Sequence, residues 1–472
     1  MNTKNEVLPK LEQWINEQRD SIVQDIVDLL AFPSVAEPQE GEYPFGEECA
    51  KALHYMLDYA EKLGFATENH ENYCGTCTLK GTEGKKSMGV FCHLDVVPAG
   101  EGWSSDPYKA FVNSDDYIVA RGSSDNKGPA IAALYALRFL KEQGIALKND
   151  VKLVYGCAEE IGMYDMDYYT AHVTPPDFSL VPDCPFPVCY AEKGHVKFDI
   201  SASVNGGNLV EFTAGDSPSS IAGSASALLK DVDPEYARKC LEGKAGISVE
   251  IEGSLVRVKA EGLSKHTATP EGSIDAIHLL TEALDSAGLV TGEAGEAIRA
   301  LSHFSGDYYG KCFGIEAEDE ATGRLTHACS VARIQEGRLW VTCSVRYPVC
   351  VVWDEVLVKI DEVLKNAGYS RENLSHNVAS RRGPSDPLLL RLCQLVNEQL
   401  GVNWKPFGMG GGTYARKLPN AVGFGPGRPD IEKPFPAGRG WGHQPDEGVR
   451  IQSMLDMVRI YVLALMEIDS SL

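Results

Sequence analysis

As far as Lys193 the chain alternates short apolar runs of strand length with stretches of helical periodicity, and this alternation constrains the fold more than any other feature. Cys77 to Leu79, Met88 to Leu94 and Val151 to Cys157 read as strands, with a helical stretch, Pro129 to Gln143, between the last two. Ahead of them Leu11, Trp14, Ile15, Ile22, Ile26, Leu29 and Leu30 recur at helical spacing until Pro33 stops the run, and Glu47 to Leu63 predicts a second helix ending at Gly64. The pattern predicts an α/β domain with a mostly parallel sheet flanked by helices.

After Lys193 the pattern changes. His195 to Val204, Gly246 to Ile251 and Ser254 to Ala260 read as strands, Ser219 to Leu229 and Ser273 to Ala287 as helices, and Ala328 to Ile334 with Arg338 to Arg346 as a hairpin turning at Glu336-Gly337. From about Pro384 helix returns (Pro387 to Leu400), then a Gly-rich loop and a closing helix at Val449 to Glu467. The expected organisation is one domain interrupted by another: residues 1–193 and 382–472 form the α/β domain, and 194–381 an inserted α+β domain.

With 67 acidic against 44 basic residues the net charge is −23. Such a surface repels phosphate backbones and anionic lipids, and no basic patch offsets it, so neither nucleic acid nor membrane is an expected partner. No stretch of signal-peptide character opens the sequence and no run of 18 apolar residues occurs, which places the chain in the cytosol. The 13 cysteines are scattered and lack the spacing of a disulfide framework, so buried free thiols are expected. The single CxxC, Cys74 to Cys77, has no second half and reads as a strand-end coincidence.

Chemistry-bearing residues fall where the apolar runs end. His93 and Asp95, two apart on a strand entering a turn, can point the same way. A carboxylate commonly holds the second nitrogen of a metal-binding imidazole, although a turn Asp beside a satisfied His is the commoner explanation of this pair alone. Asp125 directly precedes a helix, where a cap or Asx turn is the simplest reading; a carboxylate bridging two cations needs the same rigid position. Glu159-Glu160 follows the strand at 151, and adjacent acids there repel unless a cation or proton is shared. Val181-Pro182-Asp183 is another apolar run ending in an acid, and His443 lies in a Gly- and Pro-rich loop before the last helix. Ligands of open α/β sheets bind outside the carboxyl ends of the strands, so His93, Asp125, Glu160, Asp183 and His443 can converge. That donor set suits Zn²⁺, with Mn²⁺ or Co²⁺ as substitutes.

The order His-Leu-Asp-Val-Val-Pro-Ala-Gly (93–100), Ser-Asp-Asn-Lys-Gly-Pro (124–129), Ala-Glu-Glu (158–160), Val-Pro-Asp (181–183) and Gly-His-Gln-Pro-Asp-Glu (442–447) resembles the di-zinc metallopeptidase family of aminoacylases, carboxypeptidases and dipeptidases. The long insertion and Gly-Gly-Gly-Thr-Tyr-Ala-Arg (410–416) are most similar to its peptidase V branch, the Xaa-His dipeptidase, carnosinase-like enzymes. The resemblance covers nearly the whole chain. It implies two Zn²⁺ per chain, with Asp125 bridging them, His93 and Asp183 completing one site, and Glu160 and His443 the other. It implies Glu159 as general base and Asp95 as the carboxylate orienting His93. Asn126 departs from the pattern, which usually carries a second acid there.

In the insertion the resemblance implies that His266 stabilises the oxyanion together with Asn208, and that Arg346 and Arg416 bind the substrate carboxylate, for which a guanidinium fork is suited. Asp275 is a second departure, the relatives usually having Asn. The expected activity is hydrolysis of unmodified dipeptides by a monomeric enzyme, the alternative being an N-acyl amino acid amidohydrolase with the same metal centre. A non-catalytic binding relative is disfavoured by the retention of Glu159 and Asp95 beside all five ligands.

Overall fold

A computed structural model describes residues 4–472. They form two units. The first is the chain up to Tyr190 with Arg382–Phe407 and Thr413–Leu472, and the second is Ala191–Arg381 with the short stretch Gly408–Gly412.

In the first unit the strands lie in the order Ala66–His70, Cys74–Leu79, Asp150–Gly156, Ser87–His93, Phe178–Val181, Ala421–Gly423. The last four run parallel to one another, while the two at the edge are antiparallel. Parallel strands at the centre of a sheet are covered on both faces, which demands apolar residues in both registers. Strand Ser87–His93 meets this with Val90 and Cys92 in the main core and Phe91 in a smaller cluster with Met166, Tyr169 and Tyr414 on the other face. Helices Lys4–Leu30, Lys127–Glu142 and Ile451–Ser471 pack together over the main core. The middle helix is buried nearly all round, so its face carries no polar stripe. Cys74 and Cys77 belong to opposite faces of the sheet, which rules them out as a joint site.

The second unit is an eight-stranded sheet whose neighbours all pair antiparallel. Helices Ala276–Ser286 and Gly292–Phe304 pack on it. Its central hairpin, Thr326–Gln335 and Arg338–Tyr347, turns at Glu336 and Gly337, whose φ values of 48° and 72° suit the right-handed strand twist. One expected helix is wrong: Ser224–Leu229 is a strand. The Ala- and Leu-rich composition favours helix, but this segment pairs on both sides, with Leu209–Ala214 and Leu255–Glu261. Ladder bonds on both edges outweigh a weak local propensity. Among the described residues no helix is long and apolar enough to cross a membrane.

Asp275 caps helix Ala276–Ser286 from a site only 4% exposed, accepting from the Ile277 amide at 2.8 Å and the Gly306 amide at 3.3 Å. Burial pushes its carboxyl up to about 6, against the lowering pull of those amides. Because the folded value lies above the unfolded one, this carboxyl favours the fold below pH 4, and the benefit is lost as pH rises through 6. The difference corresponds to about 3 kcal/mol. Asp275→Asn keeps a capping oxygen without the charge, so its denaturation midpoint should exceed that of the parent at pH 7 and the two should converge near pH 4. A constant gap between them across that range would refute the burial explanation.

Candidate metal centre

The parallel strands bring their carboxyl ends to one edge, and the five expected ligands meet there. His93 ends strand Ser87–His93, Glu160 follows Asp150–Gly156, Asp183 follows Phe178–Val181, Asp125 directly precedes the cap of helix Lys127–Glu142, and His443 lies in the loop before the last helix. His93 Nε2 is 3.0 Å from one oxygen of Asp125 and 3.9 Å from Asp183. His443 Nε2 is 3.2 Å from the other oxygen of Asp125 and 2.9 Å from Glu160. Asp125 thus stands between the two imidazoles with one oxygen turned to each. Glu159 groups with His93 and Asp183, their ligand atoms all within 4.8 Å of one another.

The electrostatics of the cluster call for a cation. Burial raises Glu159 and Asp183 well above the carboxylate range; neighbouring acids push the same way, and His93 pulls against them. Glu160 is raised by burial and by Asp125, with His443 opposing. The imidazoles take up what the acids cannot hold. Burial lowers His443, yet Asp125 and Glu160 bring it up to about 11. Asp125 itself is held far below the usual range because both imidazoles outweigh its burial. Among the described residues the ion pairs of these ligand carboxylates are with His93 and His443. Lys127, buried nearby, donates to the Phe32 carbonyl at 2.6 Å. Four acids crowded about two imidazoles therefore fit divalent cations, and the all-oxygen and nitrogen donor set is one that Zn²⁺ accepts.

The residues that hold this cluster were only partly foreseen. Asp95 does more than sit behind His93: its carboxylate accepts the Glu159 and Glu160 amides at 3.1 and 3.0 Å, while His93 Nδ1 lies 2.9 Å from the Asp95 backbone carbonyl and 3.4 Å from its carboxylate. Asp165 clamps the same loop from behind, accepting from Cys157 and Ala158 amides at 2.7 and 2.9 Å and from the Tyr414 hydroxyl. No spacing in the sequence marks Asp165. A Cβ on Gly156 would come within 2.0 Å of that hydroxyl, so this strand end admits only glycine. Asn126 donates to the Pro182 carbonyl at 2.7 Å and to Asp183 at 3.3 Å; an acid there would repel Asp183 instead.

Glu447, quoted in the last motif without a task, fastens the Asp125 loop. Its carboxylate accepts the amides of Gly122, Ser124 and Asp125 at 2.9 to 3.1 Å and pairs with Arg121 at 2.7 Å, both side chains being buried. Breaking a buried pair by removing one partner typically costs about 3–5 kcal/mol. Glu447→Ala should lose stability of that order in chemical denaturation; a loss below about 1 kcal/mol would show that the pair is dispensable.

The remaining expected residues are placed as follows. His266 is exposed in the second unit, its Nδ1 accepting the Ala268 amide at 3.1 Å. Arg346 ends a strand of that unit and donates to the Gly410 carbonyl at 3.0 Å. Arg416 lies in the short helix Tyr414–Lys417 of the first unit. Asn208 lies in the second unit, its side-chain amide donating to the Leu289 carbonyl at 2.8 Å and accepting the Thr291 amide at 2.9 Å, contacts that pin a turn.

A parallel-centred α/β sheet with a carboxylate and imidazole cluster at its carboxyl edge, split in sequence by an antiparallel α+β unit, is the make-up of a metallohydrolase. The chain belongs to peptidase family M20/M25/M40, whose sequence profile matches residues 89–467. It is 30% identical to YtjP of Bacillus subtilis, a provisionally named dipeptidase, over 99% of this chain and 100% of that one. It is also 30% identical to the Beta-Ala-Xaa dipeptidase of Lactobacillus delbrueckii subsp. lactis, over 86% of this chain and 89% of that one. The fold is shared with the di-peptidase Dug1p from Saccharomyces cerevisiae (TM-score 0.62, 11% identity, 98% of each chain). Human carnosine dipeptidase 1 shares it too (TM-score 0.56, 15% identity, 98% of this chain and 100% of that one).

Proposed function

We propose that the chain is a dipeptidase working with two Zn²⁺ ions, and that Asp125 bridges them. The observation that carries this reading is the Asp125 carboxylate with one oxygen facing His93 and the other facing His443. His93 and Asp183 would hold one ion, and Glu160 and His443 the other. When bound, the pair supplies an acidified water and an electrophile for the scissile carbonyl.

Glu159 serves as general base. It is the acid of the cluster not needed as a ligand, and its raised pKa suits a group that takes a proton from water and returns it to the leaving amine. Asp95 keeps that carboxylate in place through the Glu159 and Glu160 amides. His266 donates to the developing oxyanion, and Arg346 and Arg416 receive the substrate carboxylate. The dipeptidase names of both 30% identical relatives support a short peptide with a free amine as substrate. Among the described residues the cysteines form no disulfide, which suits a reducing compartment, and the enzyme is taken to act there as a monomer.

Metal analysis of the purified protein, together with a panel of Ala-Ala, β-Ala-His and N-acetyl amino acids, tests this. Two zinc equivalents at this centre and hydrolysis of the free dipeptides are expected. Turnover of the N-acetyl substrates in their place would make the chain an acyl amino acid amidohydrolase.

A further inference from the structure

Far along the chain from the carboxylate cluster, the second unit buries a group of donors of another kind. His327, Cys329 and Cys343 are 1%, 0% and 0% exposed, and one ligand atom from each lies within 4.8 Å of the others. Their placement follows from strand geometry. His327 and Cys329 are two apart on strand Thr326–Gln335 and so share a face, and Cys343 is the direct cross-strand partner of Cys329 on Arg338–Tyr347. The ring of His327 is held edge-to-face by Phe313, with centroids 5.2 Å apart. Its Nδ1 lies 2.9 Å from the Asp307 carbonyl, which fixes Nδ1 as the protonated nitrogen and leaves a lone pair on Nε2. That Nε2 is buried and has no hydrogen-bond partner.

An imidazole with one nitrogen donated to a carbonyl and the other bare among thiols is how metal-binding histidines are presented. The two sulfurs are 3.9 Å apart. A disulfide needs about 2.05 Å, whereas two Zn–S bonds of about 2.3 Å opened to a tetrahedral angle span about 3.8 Å. The sulfurs already stand at the edge length of a coordination tetrahedron.

The geometry points to a structural site for one thiophilic d¹⁰ cation, Zn²⁺ or Cu⁺, held in the second unit by His327 Nε2, Cys329 Sγ and Cys343 Sγ. Two thiols bind a divalent ion by giving up two protons to solvent, and no electron is transferred. Soft sulfur ligands select Zn²⁺ and Cu⁺ over the hard cations. Full burial of the three donors makes the ion a staple of the hairpin, out of reach of substrate.

Cobalt substitution of the whole chain tests this independently of the dipeptidase reading, because the carboxylate cluster contains no sulfur. The Co²⁺-loaded protein should show a thiolate-to-cobalt charge-transfer absorption. Cys329→Ser and Cys343→Ser should each abolish it and lower the bound metal by one equivalent while dipeptide hydrolysis persists. Asp125→Asn should leave the band in place. Metal analysis of the protein as purified then separates Zn²⁺ from Cu⁺. Absence of the band in the Co²⁺-loaded parent chain overturns the site, and that result stands even if the serine variants fail to fold. A Cys329–Cys343 disulfide found by mass spectrometry in freshly prepared protein overturns it as well.

Discussion

Glu159→Gln should hydrolyse dipeptides about 10²–10⁴-fold more slowly than the parent enzyme while binding the same amount of metal at the carboxylate cluster. The substitution preserves shape and removes the ability to take a proton. A loss of that size corresponds to about 3–5 kcal/mol of transition-state stabilisation and should fall on kcat more than on KM, since the role proposed for Glu159 is on the reacting water and not on the ends of the substrate. The Glu159 amide still donates to Asp95 whatever the side chain, so the loop keeps its place. Two results would refute the assignment. Unchanged kcat would remove Glu159 from the chemistry, and loss of metal would make it a ligand in place of a base.

Asp125→Asn is the other large effect. Among the described residues, Asp125 is the acid whose carboxylate forms ion pairs with both His93 and His443. An amide offers one oxygen and no charge. Metal affinity should fall by more than the ~10–100-fold typical of removing a partner outside the ligand shell, and activity should disappear with it. The protein itself should remain folded, because relief of a buried charge offsets the lost contacts, and circular dichroism with metal analysis separates the two effects. Retention of two tightly bound ions by folded Asp125→Asn would show that the bridge lies elsewhere.

Much of the centre was legible before any coordinates, for a specific reason. Parallel strands must end at one edge, and chemistry-bearing residues at the ends of several apolar runs are therefore candidates for one site wherever the chain between them goes. His93, Glu160 and Asp183 were found this way, and Asp125 and His443 from loops next to helices. The helices Glu47–Lys62 and Pro387–Leu400 were equally plain, since their periodicity is local. Segment Ser224–Leu229 was misread because its Ala-rich sequence says little about the strands on either side of it.

The residues that brace the cluster were mostly invisible. Asp165 reaches the loop after strand Asp150–Gly156 from a helix with no recognisable motif, and the Glu447 hydrogen bonds join segments more than 300 residues apart. The resemblance alone singles out Asn208, and only the structure shows its amide bonded to Leu289 and Thr291. The transfer of Gly408–Gly412 to the second unit is likewise a matter of contact and not of composition.

The net charge of −23 excluded partners but could not say which acids matter. By itself the sequence determined the alternation of elements, and with it the edge at which ligands gather, because hydrophobic period and strand direction are encoded within a few residues. Only the tertiary structure decided which side chain meets which: Asp125 between two imidazoles, Asn126 against Asp183, His327 beside two cysteines. Those pairings depend on distances between elements far apart in the chain, and distances of that kind are set by packing.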